Sequence, residues 1–165
     1  VNRLFPHGDW KGAAAGVAAK DAISGELTMS LNLFDFREGG LKAYFDGRTP
    51  ISATNQSLKE PFCARTGALG LTPDDDGVSP AHYVPENTPL VRTLLKCYEQ
   101  YSGRKGKCLA IGGGTFVHHL KNGVAFGCSM PGTENNMHAA DECAVVDDLL
   151  MSAEIFTQAI VDLCS

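Results

Sequence analysis

The amino-acid sequence predicts an α+β fold, and three observations carry that expectation. Strand and turn signals crowd the stretch from Ala13 to Tyr83, helical periodicity takes over after Pro85, and the last two dozen residues form one long apolar-striped helix. In the first stretch, Leu27-Thr-Met-Ser-Leu-Asn-Leu33 alternates apolar and polar residues, the period-2 pattern of a strand with one buried face. The phase slips at Phe34-Asp-Phe36, which predicts a bulge or an end to pairing. Ser24-Gly25 before this strand and Glu38-Gly-Gly40 after it predict antiparallel hairpin partners on both sides. The next strand, Leu41 to Arg48, puts Leu41, Ala43 and Phe45 on one face and Lys42, Tyr44, Asp46 and Arg48 on the other, and Thr49-Pro50 stops it. A short helix is expected over 52–64 despite Pro61, followed by the acidic turn Asp74-Asp-Asp-Gly77 and a final strand near Val78–Val84.

Beyond Pro85 the signals change. Asn87 or Thr88 caps a helix with Pro89 in its first turn, where the missing N–H is no loss. Leu90, Val91, Leu94, Leu95 and Tyr98 make its apolar stripe, and Gly103 suits the left-handed residue that ends it. Cys108-Leu-Ala-Ile111 reads as a short buried strand running into Gly112-Gly-Gly-Thr115, and Val124-Ala-Phe126 as another. From Asp141 onward, Val145, Val146, Leu149, Leu150, Ala153, Phe156, Ile160 and Leu163 recur at helical spacing.

Composition excludes several classes. With 44% hydrophobic residues and a net charge of −5, the chain can bury a core and is not intrinsically disordered. No apolar run approaches the ~18–20 residues that span a bilayer. Fourteen basic against nineteen acidic residues give no electrostatic footprint for nucleic acid or an anionic membrane. The first residue is Val1, with no basic stretch leading into an apolar one, so no secretory signal is visible. The six cysteines are scattered without a CxxC pair, the usage of reduced thiols in a cytoplasmic protein, although an even count also allows disulfides.

Three places could carry chemistry, each with a plainer alternative. His138, among acidic residues in the glycine-proline loop 130–142 ahead of the last helix, could ligate a metal or be a surface histidine. Gly112, Gly113, Gly114 and Thr115 could bring backbone N–H groups to an anion or form a tight strand-to-loop turn; they lack the Lys-Ser/Thr of a P-loop and the spacing of a dinucleotide site. Arg48, sharing a polar face with Asp46, could grip a substrate carboxylate or pair with Asp46 or Glu38. Two weaker signals accompany them. His7-Gly-Asp9 has metal-site spacing, but no apolar strand leads into it, and the neighbours His118 and His119 point apart on any extended segment.

The order of the pieces says more than any one of them. Phe45-Asp-Gly-Arg48-Thr-Pro50, Thr88-Pro-Leu-Val-Arg-Thr-Leu-Leu-Lys-Cys-Tyr98, Ile111-Gly-Gly-Gly-Thr-Phe116, Val124-Ala-Phe-Gly127 and Phe156-Thr-Gln-Ala-Ile160 follow one another. This series resembles the C-terminal part of the zinc-dependent dipeptidases related to bacterial dipeptidase V, in the wider family of carboxypeptidase G, the aminoacylases and succinyl-diaminopimelate desuccinylase. The resemblance covers nearly the whole chain, most specifically from Leu90 to Leu163. It implies an antiparallel lid-type sheet with helices on one face over 1–85. Over 86–165 it implies a partial α/β catalytic-domain segment ending in a long helix.

Family enzymes hold two zinc ions about a bridging water, with a glutamate as general base. The resemblance assigns His138 to the last zinc ligand and Arg48 to the lid arginine that contacts the substrate carboxylate or the tetrahedral intermediate. Gly113, Gly114 and Thr115 fall on the loop bordering the substrate. The remaining ligands and the base lie far upstream in the family and have no counterpart here. After the glycine loop, where the dipeptidases read Tyr-Ala-Arg, this chain reads Phe116-Val117-His118. The implied function is a fragment of a metal-dependent dipeptidase, inactive alone, whose partners are the missing N-terminal catalytic segment and, in the parent, a dipeptide. The alternative is a non-catalytic binding or self-assembly domain, a homo-oligomer joined through a sheet edge.

Overall fold

The computed structural model describes residues 2–74, 79–127 and 129–165. They form an α+β chain of small antiparallel sheets followed by three helices, the last and longest at the C-terminus. Two compact units share the chain: 1–83 with 110–114, and 84–109 with 115–165.

The first unit is built on two hairpins. Strands β1 (Lys20–Asp21) and β2 (Gly25–Glu26) pair antiparallel across the Ser24-Gly25 turn. Gly25 sits there at φ 84°, a conformation that glycine adopts without steric cost. Asp21 holds this turn: Oδ1 accepts from the Ile23 and Ser24 amides, and Oδ2 from the Ser24 hydroxyl and the Ser52 amide. These bonds to the charged form draw the Asp21 carboxyl far below the usual carboxylate range, the Ser24 amide being the largest cause.

Strands β3 (Thr28–Arg37) and β4 (Gly40–Arg48) form the second hairpin, in a separate sheet, around the predicted Glu38-Gly-Gly40 turn. Among the described residues the expected partner on the N-terminal side of β3 does not join its ladder; β1 pairs β2 instead. The predicted bulge exists, two residues early. Leu31 pairs Phe45 and Leu33 pairs Tyr44, so Asn32 is the extra residue. That insertion shifts the pleat by one, placing Phe34 and Phe36 opposite Ala43 and Leu41, on the same face as Leu31 and Phe45. The slip read from the sequence is thus the residue pattern a bulge requires. Pairing continues beyond it to Arg37.

Helix α1 (Asn55–Gly67) covers one face of the near end of this hairpin. Thr54 caps it, its hydroxyl accepting from the Ser57 amide while Ser57 Oγ accepts from the Thr54 amide. It begins and ends three residues later than expected, and Pro61 lies inside it. Losing one backbone bond at Pro61 is outweighed by packing. Leu58 is buried with Ala15, Val17 and Leu27, and Phe62 meets Phe45 edge-on at 6.4 Å. Phe45 in turn stacks on Phe5 at 4.0 Å. The outer end of the hairpin has no such cover: Leu33, Phe34, Phe36, Leu41 and Tyr44 are all exposed.

The second unit is helical. Helix α2 (Pro89–Ser102) has the predicted anatomy: Thr88 as cap, its hydroxyl accepting from the Val91 amide at 3.4 Å, Pro89 first, and Gly103 at φ 65°. Helix α3 (Val146–Cys164) starts five residues later than Asp141 and has no side-chain cap, though Asp147 and Asp148 suit the positive end of its dipole. The two helices pack through Cys97, Ile155 and Ala159, with Met130 closing the cluster. Phe126 meets Phe156 edge-on at 5.2 Å. Tyr101 donates to Gln158, and Lys96 pairs with Asp162 at 3.2 Å.

Three expected strands are not strands. Residues 79–84 are irregular, and Val78, where the third begins, lies outside the described residues with Asp75, Asp76 and Gly77 of the acidic turn. Cys108–Ile111 and Val124–Phe126 form no ladder among the described residues. Far from being buried, Leu109 and Ile111 are mostly exposed. A strand exists only through its neighbour's N–H and C=O groups, and among the described residues none forms a ladder with these segments. Cys63, Cys97, Cys108, Cys143 and Cys164 carry unbridged thiols. Among the described residues no helix is long and apolar enough to cross a membrane.

Candidate functional site

Arg48 is the last residue of β4, on the hairpin's polar face, with its side chain about half exposed. Nη2 donates to Asp46 Oδ2 at 2.7 Å. Asp46 stands two residues earlier on the same strand, so the pair follows from the pleat alone. A guanidinium carries five N–H groups in a planar fork, and one bond to Asp46 leaves capacity for a second carboxylate.

The glycine loop reaches the same place. A Cβ on Gly112 would stand 3.5 Å from Arg48 Cγ, so the loop backbone lies against the arginine's alkyl stem. At Gly113 and Gly114 a Cβ would meet nothing within 4 Å, and neither residue has a positive φ. Among the described residues nothing crowds those two positions. Arg48 and Gly112 are 64 positions apart, and no local signal in the sequence couples them. Thr115 precedes a single 3-10 turn, Phe116–His119, and its carbonyl accepts from the His118 amide. The two histidines therefore sit on a helical turn rather than on an extended segment.

His138 lies on the exposed loop ahead of α3, eight residues before the helix begins. The loop is wound tightly on itself. Asn136, His138 and Asp141 all adopt left-handed backbone, at φ 50°, 64° and 58°. Ala139 N–H donates to Asn136 C=O and Cys143 N–H to Asn135 C=O. Left-handed non-glycine residues are uncommon, although Asn, Asp and His tolerate the region best. Three within six positions mark a segment whose shape is held by its own hydrogen bonds.

At His7-Gly-Asp9 the carboxylate is engaged. Asp9 Oδ2 accepts from the Ala14 amide at 2.8 Å and Oδ1 from the Ala13 amide at 3.1 Å, which lowers its pKa, the Ala14 bond most. It closes a turn at the rim of a shallow, open depression of about 310 Å³ lined by Phe5, Trp10, Met29 and Leu31 among others. That depression was not foreseen, since its walls come from two separate stretches, Phe5 to Trp10 and Met29 with Leu31.

No group of three His, Cys, Asp or Glu side chains close enough to hold a metal ion occurs among the described residues. A catalytic zinc takes three protein ligands, and a bridged pair takes more. Among the described residues no donor set of that size is gathered, around His138 or elsewhere.

The chain is homologous to bacterial dipeptidases. It is 38% identical over 158 residues to YtjP of Bacillus subtilis, which carries a provisional dipeptidase name, covering 94% of this chain and 33% of that protein. It is 35% identical over 163 residues to the Beta-Ala-Xaa dipeptidase of Lactobacillus delbrueckii subsp. lactis, again 95% of this chain and 33% of the relative. A provisionally named dipeptidase of Staphylococcus epidermidis matches at 28% over 154 residues. The chain thus spans about a third of the length of the curated relatives it matches. No family model matches it.

Proposed function

We propose that the chain is one part of a metal-dependent dipeptidase, in which 1–85 belongs to a lid and 86–165 to the end of the catalytic domain. The observation that carries this is the 35% identity, over almost every residue here, to a protein named as a Beta-Ala-Xaa dipeptidase. The packing of the Gly112 backbone on the Arg48 stem supports it, since a carboxylate reader and an open amide loop then border one spot. In this reading the parent hydrolyses a dipeptide in the cytoplasm. Arg48 holds the substrate carboxylate, and the backbone of Gly113, Gly114 and Thr115 borders the substrate. The parent's two zinc ions are held mainly by residues outside this chain, with His138 adding one donor from its preshaped loop.

Two measurements test it. The purified 165-residue chain is expected to retain no zinc after dialysis and to hydrolyse no dipeptide; about two bound zinc ions with chelator-sensitive turnover would refute the ligand count. Placed in the matching third of the Lactobacillus dipeptidase, the chain is expected to support hydrolysis of a β-alanyl dipeptide. There Arg48→Ala should lower kcat/KM about 10- to 100-fold, the worth of a charged hydrogen bond. Lys42→Ala, on the same strand face, should change it little. Equal losses from both would remove the role of Arg48.

A second reading rests on the bare outer end of the β3–β4 hairpin, with Phe36 77% exposed. Uncovered strand edges invite pairing, so a non-catalytic module that assembles with its own copies is the rival. A concentration-dependent dimer in sedimentation, abolished by Phe36→Lys, would favour it.

A further inference from the structure

Asp21 makes more bonds than its turn needs. Oδ1 alone accepts from the Ile23 and Ser24 amides, at 2.8 and 2.6 Å, and closes the turn between β1 and β2 as an aspartate commonly does. Oδ2 accepts from the Ser24 hydroxyl at 2.8 Å and from the distant Ser52 amide at 3.2 Å. The Ser24 oxygen in turn accepts from the Ile51 amide at 2.9 Å. Two consecutive amides beyond β4 are thus held by two side chains of the β1–β2 turn. Between them and the strand, Pro50 is fully buried, and its carbonyl accepts from the Ala53 amide at 3.0 Å.

These ties close a ring around the end of β4. Past Ser24 the chain runs through β2 to Thr28, which pairs with Arg48 across the β3–β4 ladder. Past Arg48 it returns, at Ile51 and Ser52, to Ser24 and Asp21. Arg48 is held by the ladder on one side and by the turn on the other. Its ion pair with Asp46 is about half exposed, and such pairs contribute little. Strand ends fray where the ladder stops, and Arg48 is the last residue of its strand. A side chain that reads a carboxylate has to be held to within about 0.5 Å by supporting bonds.

We propose that Asp21, together with Ser24, is a positioning residue for Arg48, pinning residues 51 and 52 so that the end of β4 presents the guanidinium in one place. This rests on the reading of Arg48 as the holder of the substrate carboxylate. Both side chains act through the backbone of 49–52. A knot that only seated Pro50 and the start of α1 would leave the work of Arg48 indifferent to its loss.

Asp21→Asn separates the two jobs of the carboxylate. An asparagine oxygen keeps the Ile23 and Ser24 amides, but its NH2 group then faces the Ser52 amide, donor against donor. Ser24→Ala removes the Ile51 tie, and Ser24→Thr keeps the hydroxyl. In the 165-residue chain, amide exchange followed by NMR should be at least tenfold faster at Ile51 and Ser52 in Asp21→Asn, with the ladder around Phe45 unchanged. In the chimera with the Lactobacillus dipeptidase, Asp21→Asn and Ser24→Ala should each raise KM for a β-alanyl dipeptide about three- to tenfold, with kcat within about twofold. Ser24→Thr should restore that KM. Added to Arg48→Ala, Asp21→Asn should change KM by less than about twofold, because the residue it positions is gone. Unchanged exchange at Ile51 and Ser52 would overturn the proposal, as would a loss that adds in full to that of Arg48→Ala. Either result, with Arg48→Ala itself damaging, leaves the carboxylate reading of Arg48 standing. A folded chimera that is inactive, or indifferent to Arg48→Ala, refutes that reading and takes the proposal with it.

Discussion

Replacing Ile155 by alanine should open the second unit selectively. Ile155 is 2% exposed and meets Cys97, Met130 and Ala159. The substitution deletes three buried carbons, about 2.4 kcal/mol at ~0.8 kcal/mol each, and leaves a cavity that raises the cost to about 3 kcal/mol or more. Ile160 on the same helix is 61% exposed, and its replacement by alanine should stay within about 0.5 kcal/mol. Cys97 provides the assay. Its thiol is fully buried in the same cluster, and desolvation raises its pKa, with the Asp162 carboxylate adding to the rise. Alkylation there requires opening, and when closing outpaces labelling the rate follows the open population. Ile155→Ala should therefore speed Cys97 labelling by roughly 150-fold, and Ile160→Ala by no more than about twofold. Equal acceleration by both, or none by Ile155→Ala, would refute the assignment of the buried stripe.

Two further outcomes concern the first unit. Gly12 has φ 70°, and a Cβ there would stand 2.5 Å from Val17 Cγ2, so Gly12→Ala combines left-handed strain with overpacking and should cost about 2–5 kcal/mol in urea unfolding. Gly25→Ala meets nothing within 4 Å at φ 84° and should cost only the conformational part, about 1–2 kcal/mol; equal losses would show that the Val17 contact is absent. Acid should destabilise the chain through Asp21, Asp9, Glu26 and Asp162, whose pKa values are all lowered in the fold by hydrogen bonds to their charged forms. The unfolded chain binds those protons first, so the stabilisation is complete above the ordinary carboxylate range and fades as pH falls below about 5. Asp21→Asn should flatten that acid limb measured by circular dichroism, and an unchanged limb would remove Asp21 as its source.

What the sequence determined is what neighbours along the chain can enforce. The Thr88-Pro89 start and Gly103 end of α2 are decided within a few residues by caps and a left-handed stop, and the structure has them in place. The β3–β4 hairpin is equally local, and its apolar phase slip announced the bulge because only an inserted residue returns Phe34 and Phe36 to the face of Leu31. The order of motifs pointed to dipeptidases for the same reason: it is linear information. Tertiary structure decided the rest. Pro61 stays inside α1 because Leu58 and Phe62 pack on distant residues. Residues 108–111 and 124–126 have the composition of strands and form no ladder among the described residues, since a strand's partner is never encoded in its own residues. Arg48 could be read as a candidate from its type and its strand face. That the Gly112 backbone lies along its stem required the chain to close a loop of 64 residues, a contact that only the folded molecule makes.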